Sequence, residues 1–214
     1  MPGYYIYSLD ADAFRTLTTA PTKEQSLVLA DSIIDDLGGL LDEGGETDAA
    51  DPSKWPFDRE ALAERIRKRL ASPDWYADLR MGDAAIWDNL LYNLSDEPGE
   101  KLGVDFQCEN DGFLYWDAAD IAAQHGAPMM AEQRFGNSGF RYSGKSRGDI
   151  ELMYTFYLPA QTQRLLKQLE KAVAYFETLP DEKDGDRDQF FQGLLEPVRR
   201  IVAAVRVMWV QTDT

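Results

Sequence analysis

Asp149-Ile150-Glu151-Leu152-Met153-Tyr154-Thr155-Phe156-Tyr157-Leu158-Pro159 decides the fold class. Ile150, Leu152, Tyr154, Phe156 and Leu158 alternate over nine residues, the two-residue period of a strand. Pro159 has no N–H for a ladder, and its fixed φ suits the first turn of a helix. Leu165, Leu166, Leu169, Ala172, Val173 and Phe176 follow at helical spacing. A second helix, not a strand, comes next. It starts near Asp188 and carries Phe190, Phe191, Leu194, Leu195, Val198, Ile201 and Val202, and Pro197 should kink or split it. Val205 to Gln211 then reads as a strand.

Tyr4 to Leu9 is another short strand rich in β-formers. Asp10 can cap a helix carrying Phe14 and Leu17. Thr22 with Gln25 is a capping-box pattern opening a helix with Leu27, Leu29, Ala30, Ile33, Ile34, Leu37 and Leu41 at helical spacing, and Gly38 and Gly39 weaken its end. Residues 42–54 are an acidic loop with little to bury. Asp58 starts a helix with Leu62, Ile66 and Leu70 on one face, and Asp83 caps another carrying Ile86, Trp87, Leu90, Leu91 and Leu94. Val104, Phe106 and Cys108 alternate, Glu109-Asn110-Asp111-Gly112 has turn chemistry, and Phe113-Leu114-Tyr115-Trp116 follows, which predicts a β-hairpin. Asp117 then caps a short helix that Gly126 closes. Residues 127–148 form a Gly-rich loop without periodicity.

This order lacks strict strand–helix alternation, so the class is α+β rather than doubly wound. The expectation is one domain over residues 1–214. Its mixed or antiparallel sheet has about five strands packed with about six helices, and the terminal strands share that sheet.

The 214 residues carry 22 basic and 38 acidic groups, a formal net charge of −16. The excess is uneven. Residues 101–133 hold one basic and six acidic groups, whereas 134–148 hold four basic and no acidic ones. An acidic surface repels nucleic acid and anionic lipid, and it steers a basic protein partner toward itself. No stretch is long and apolar enough for a membrane span, and no basic-apolar leader begins the chain. One cysteine excludes an internal disulfide framework and a Cys-rich metal site, and a reducing cytoplasm is the simplest home.

Gly139-Phe140-Arg141-Tyr142-Ser143-Gly144-Lys145-Ser146 has the P-loop spacing, in which backbone N–H groups, Lys145 and Ser146 would hold phosphates and magnesium. The context is wrong. No apolar strand precedes Gly139, and no helix begins at Lys145-Ser146. A looser reading survives: Arg134, Arg141, Lys145, Ser146 and Arg147, interleaved with Phe135, Phe140 and Tyr142, could bind a phosphate or nucleotide ligand. His125, the one histidine, fits a helix end better than catalysis. Cys108 reads as a small buried hydrophobe, although a thiol pair with His125 is chemically conceivable. Asp184-Gly185-Asp186-Arg187-Asp188, with Asp184 taken as position one, lacks the turn glycine and the twelfth-position glutamate of a calcium loop and reads as a linker and helix cap. No catalytic residue, metal site or cofactor is legible.

The stretch Gly3-Tyr4-Tyr5-Ile6, the run Tyr157-Leu158-Pro159-Ala160-Gln161 into a helix, and the closing Val205-Arg206-Val207-Met208-Trp209-Val210 resemble the YfbM-like family of small bacterial proteins. That resemblance implies a single α+β domain and brings no catalytic residue. The function expected is a non-enzymatic interaction module whose acidic surface meets a basic partner, immunity- or inhibitor-like. The alternative is a phosphate-ligand enzyme or sensor using residues 134–148.

Overall fold

The computed structural model describes residues 3–42, 58–72, 90, 93–94, 100–132 and 154–213. In chain order the elements are β1 (Gly3–Leu9), α1 (Ala11–Thr19), α2 (Lys23–Asp42), α3 (Arg59–Leu70), a 3₁₀ turn (Glu100–Leu102), β2 (Glu109–Tyr115), α4 (Trp116–Gln124), α5 (Met129–Glu132), β3 (Tyr154–Tyr157), α6 (Pro159–Phe176), α7 (Asp186–Asp188), a π-helical segment (Gln189–Leu195), α8 (Glu196–Ala203) and β4 (Val207–Asp213). The class is α+β. The described residues fall into two compact units, a sheet unit (3–11, 107–132, 154–213) and a helical unit (12–42, 58–72, 90, 93–94, 100–106).

The sheet unit is built on an antiparallel sheet of order β2-β1-β4-β3. Its terminal strands are neighbours, with Ile6 opposite Val210. Four strands are present among the described residues, against the five expected, because the 104–116 hairpin does not form. Glu109, Asn110, Asp111 and Gly112, read as a turn, are the first half of β2 and pair with β1 instead. Turn propensity loses here to the open edge that β1 offers and to the irregularity it tolerates. Ile6 faces Gly112 while Tyr7 faces Asn110, so Asp111 is the extra residue of a β-bulge. Val205 is also outside its expected strand, which begins at Val207.

One sheet face carries Tyr4, Ile6, Leu114, Tyr157, Met208 and Val210 into the core. Beneath it α6 buries Thr162, Leu165, Leu169, Ala172 and Phe176, a 3-4-3-4 spacing that keeps one stripe inward. Each fully buried Leu or Phe there contributes roughly 2–3 kcal/mol. Phe176 stacks on Phe190 at 3.8 Å between ring centroids. Leu158 precedes α6, and its N–H donates to Gln161 Oε1 at 2.9 Å. On strands β1, β2 and β4 a second aromatic set forms cross-strand pairs, Tyr5 with Phe113 at 4.9 Å and Tyr7 with Trp209 at 4.8 Å.

The last helix is split, and Pro197 marks the place. It sits in the first turn of α8, and the seven residues before α8 adopt π-helical bonding. A proline ring clashes with the carbonyl four residues back, and widening the helix relieves this. The π segment presses on β2. A Cβ on Gly193 would stand 2.2 Å from the Phe113 carbonyl oxygen, and one on Gly112 would stand 2.9 Å from the Gly193 oxygen. Helix side chains then blunt the β2 edge: Tyr115 N–H donates to Gln189 Oε1 at 3.3 Å, and Arg200 Nη2 donates to the Asp111 carbonyl at 2.7 Å.

α4 begins at Trp116 after Tyr115, so Asp117 lies inside its first turn rather than capping it. At the other end Ala127 N–H donates to the Ala122 carbonyl at 2.9 Å across Gly126, whose φ is +133°. The expected loop from residue 127 starts instead with the short α5.

In the helical unit two of the expected caps are seen among the described residues. Thr22 and Gln25 exchange bonds of 2.9 and 3.1 Å, and Asp58 Oδ1 accepts from Ala61 N–H at 2.7 Å. Its core holds Phe14, Leu17, Leu29, Ile33, Leu62, Ile66, Leu70, Leu102 and Phe106. Buried Asn93 donates to Ser32 Oγ at 3.0 Å.

Candidate functional site

The sequence-based ligand residues Arg134, Arg141, Lys145, Ser146 and Arg147 lie outside the described residues, as do 43–54 of the acidic loop and the start of the helix assigned to Asp83. The other candidates separate. His125 ends α4 and stacks on Tyr175 at 3.4 Å. Cys108 stands just before β2, where the charged groups acting on it are Arg206, Asp111 and Glu109. The two are not brought into a dyad. Burial pushes the Cys108 thiol up to about 11, so it stays protonated at neutral pH. Asp184 N–H donates to Asp188 Oδ2 at 3.2 Å, a local turn before α7. Among the described residues no group of three or more His, Cys, Asp or Glu side chains could hold a metal, and no helix is long and apolar enough to cross a membrane.

The helical unit has a cavity of about 480 Å³ lined by Pro21, Lys23, Ser26, Glu60, Ala63, Glu64 and Arg67. Its cations are already paired, Lys23 with Glu60 at 2.8 Å and Arg67 with Glu64 at 2.9 Å, so it presents no net charge of either sign.

A denser polar arrangement sits at one end of the sheet, and four elements build it. The bulge aims Asp111 away from the ladder, and its side chain is 8% exposed. Ser8, next to last in β1, is 1% exposed. Arg200 of α8 places Nε 3.8 Å from Asp111 Oδ1 while bonding the Asp111 carbonyl. Arg206 arrives through the end of α8. Val205 N–H donates to the Val202 carbonyl and Arg206 N–H to the Ile201 carbonyl, both at 3.1 Å, a Schellman motif. The residue at its left-handed position is Val205, φ +55°, where glycine is usual and a β-branched side chain is strained. From there Arg206 Nη2 donates to the Ser8 carbonyl at 3.2 Å and to the Gln107 carbonyl, and Nη1 lies 3.6 Å from Glu109 Oε1. Gln107 is itself left-handed, φ +44°.

Burial raises the Asp111 carboxyl above its ordinary value. The Ser8 hydroxyl, Arg200 and Arg206 pull it down, and Glu109 adds to the rise. The Ser8 hydroxyl and the Asp111 carboxyl are within hydrogen-bonding reach of each other, and no other protein group bonds Ser8 Oγ, Asp111 Oδ2 or Arg206 Nε. Sequence reasoning missed this site because Asp111 and Gly112 look like turn residues and Arg206 looks like a solvated charge. The one sequence signal was a charged residue at the start of an apolar terminal strand.

At the opposite end of β1 and β2 the surface is acidic and carries an aromatic. Trp116 is 36% exposed. Its Nε1–H donates to the Gly3 carbonyl at 3.3 Å, and its ring lies 6.2 Å from that of Tyr4. Asp117 and Asp120 are exposed on the helix that Trp116 begins. Residues 107–132 contain five carboxylates and no lysine or arginine. No protein-family model, curated protein or solved structure matches the chain.

Proposed function

We propose that the protein is a non-enzymatic interaction module of the cytoplasm that takes a basic protein partner on the face formed by β2 and α4, in the manner of an immunity or inhibitor protein. The observation that carries this reading is Trp116, held in place and exposed among carboxylates. A tryptophan whose N–H is already spent offers its ring face to an arginine or lysine, and such aromatics dominate binding energy at protein interfaces. Asp117 and Asp120 supply the rim charge that steers a cation to it. The protein's formal charge of −16 acts in the same direction at longer range. Common descent with the YfbM-like family is proposed on three stretches, Gly3 to Ile6, Tyr157 to Gln161 and Val205 to Val210.

The test is capture of a purified partner at low salt followed by calorimetry. Trp116→Ala should weaken binding at least tenfold, and Asp117→Asn with Asp120→Asn should flatten its salt dependence. A partner that is not basic, or one indifferent to all three substitutions, overturns the reading. The phosphate-ligand alternative for Arg134, Arg141, Lys145, Ser146 and Arg147 rests on sequence alone. Nucleotide-induced stabilisation lost in Lys145→Ala is its separate test.

A further inference from the structure

We propose that the cavity of the helical unit, walled by α2 and α3, binds a small zwitterion of the free α-amino acid class, its ammonium set between Glu60 and Glu64 and its carboxylate held by Arg67. The cavity has room for such a ligand. Its volume of about 480 Å³ lies within the range of roughly 300–1,000 Å³ common to small-molecule sites. On α3 it is lined by Glu60, Ala63, Glu64 and Arg67, a 3-1-3 spacing that puts the four on one helix face. On α2 it is lined by Lys23 and Ser26. Ser26 and Ala63 are buried, so they make the deep part of the cavity and the charged groups make its rim.

The charges suit both ends of a zwitterion. Lys23 lies 2.8 Å from Glu60 and Arg67 lies 2.9 Å from Glu64, so the cavity is neutral but not apolar. Glu60 and Glu64 stand one helical turn apart, where like charges repel, and an ammonium between them removes that repulsion. Ser26 Oγ spends its proton on the Thr22 carbonyl at 3.0 Å, so toward a ligand it acts as an acceptor, which again suits an ammonium. Arg67 spends Nε and Nη2 on Glu64, both at 2.9 Å, which leaves Nη1 to donate to a carboxylate. The existing ion pairs do not hold the cavity shut, because their side chains are 44% to 66% exposed and pairs this open contribute little. Other ligand classes fit worse. A simple anion meets two glutamates in a molecule of net charge −16, and a simple cation meets Lys23 and Arg67. A metal ion finds two carboxylates here, and among the described residues no group of three or more could hold one. A hydrocarbon strips water from four charged groups and returns nothing.

The experiment is a titration of the ¹⁵N-labelled full chain with L-alanine, with acetate and methylammonium as its two halves, followed by amide and arginine Nε resonances. Saturable shifts are expected at Ser26, Ala63 and the Arg67 Nε–H with L-alanine at millimolar concentration, and weaker or non-saturating ones with either half. Glu60→Gln and Arg67→Ala should each weaken binding at least fivefold. Both replace half-exposed side chains, so the fold survives them and binding is read directly. Absence of saturable shifts with L-alanine overturns the proposal. So do equal affinities for acetate or methylammonium, which mean simple ion pairing, and so does full retention of binding in either variant.

Discussion

Replacing Gly193 by Ala sets two arguments against each other with opposite signs. Gly193 lies within a helical segment, and helix propensity alone makes alanine more stable by about 1 kcal/mol. The packing says the reverse. An added Cβ would stand 2.2 Å from the Phe113 carbonyl oxygen and 3.3 Å from its carbon, and Cβ atoms essentially never come within 3.0 Å of such a neighbour. The obstacle is backbone in the middle of β2 and cannot rotate away. The π segment and β2 must therefore separate by about 0.8 Å, the difference between 2.2 and 3.0 Å. That movement stretches two bonds tying helix side chains to the strand edge, Gln189 Oε1 to Tyr115 N–H and Arg200 Nη2 to the Asp111 carbonyl. Overpacking of this kind costs about 1–3 kcal/mol, and weakening two bonds adds to it, so a net loss of about 3 kcal/mol is expected. For a chain of this size that lowers Tm by roughly 6–12 °C. Urea unfolding followed by circular dichroism measures it, with Gln192→Ala on the exposed side of the same segment as a control that should stay within about 0.5 kcal/mol of wild type. If Gly193→Ala is as stable as wild type or more so, the close approach of β2 and the π segment is wrong and propensity governs.

Val205→Gly should stabilise the protein by about 1 kcal/mol in the same assay, because glycine removes the left-handed strain while Val205, 63% exposed, buries little. A loss of stability would contradict the Schellman geometry at the end of α8. Asp111→Asn should gain on wild type as pH rises. The folded-state carboxyl is raised, so its favourable contribution is complete below the unfolded carboxylate value and is lost as pH climbs through the folded one. Urea unfolding of both proteins from pH 4 to pH 7 reads the difference, and a flat or falling difference counts against a buried Asp111. Cys108 should react slowly with iodoacetamide at neutral pH, its rate still climbing tenfold per unit beyond the ordinary thiol range because its value is pushed up to about 11. A plateau near the ordinary value would mean the thiol is not desolvated.

Much of this fold could be read from residues whose local and tertiary preferences agree. The stripe of α6 from Leu165 to Phe176 is one case, Thr22 with Gln25 is another, and the β-rich ends that meet as β1 and β4 are a third. What escaped was decided by long-range geometry. Asp111 and Gly112 are turn residues by propensity, and only the edge of β1 converts them into a bulged strand. The π segment has the same apolar spacing as an α-helix, so periodicity cannot distinguish them, and Pro197 signals a break without saying which kind. Ser8 and Arg206 are 198 residues apart, and no local pattern links them.

The irregular features of the sheet unit depend on one another, which argues that they serve a purpose beyond folding. A regular β2 on a regular helix would bury the same apolar residues without a bulge, without Gly112 opposite Gly193 and without a valine in a glycine conformation. Each departure weakens the fold, yet together they bring Asp111 within reach of Ser8 and Arg206. The bulge also fixes the register beyond it. Leu114 faces the core and Trp116 begins the next helix only because Asp111 takes up the extra residue. A slip of one residue would turn Leu114 outward and carry Trp116 away from the Gly3 carbonyl. The buried polar site and the acidic tryptophan surface therefore share β2. A substitution that removes the bulge, such as deletion of Asp111, should disturb both, whereas Trp116→Ala should leave the buried site intact.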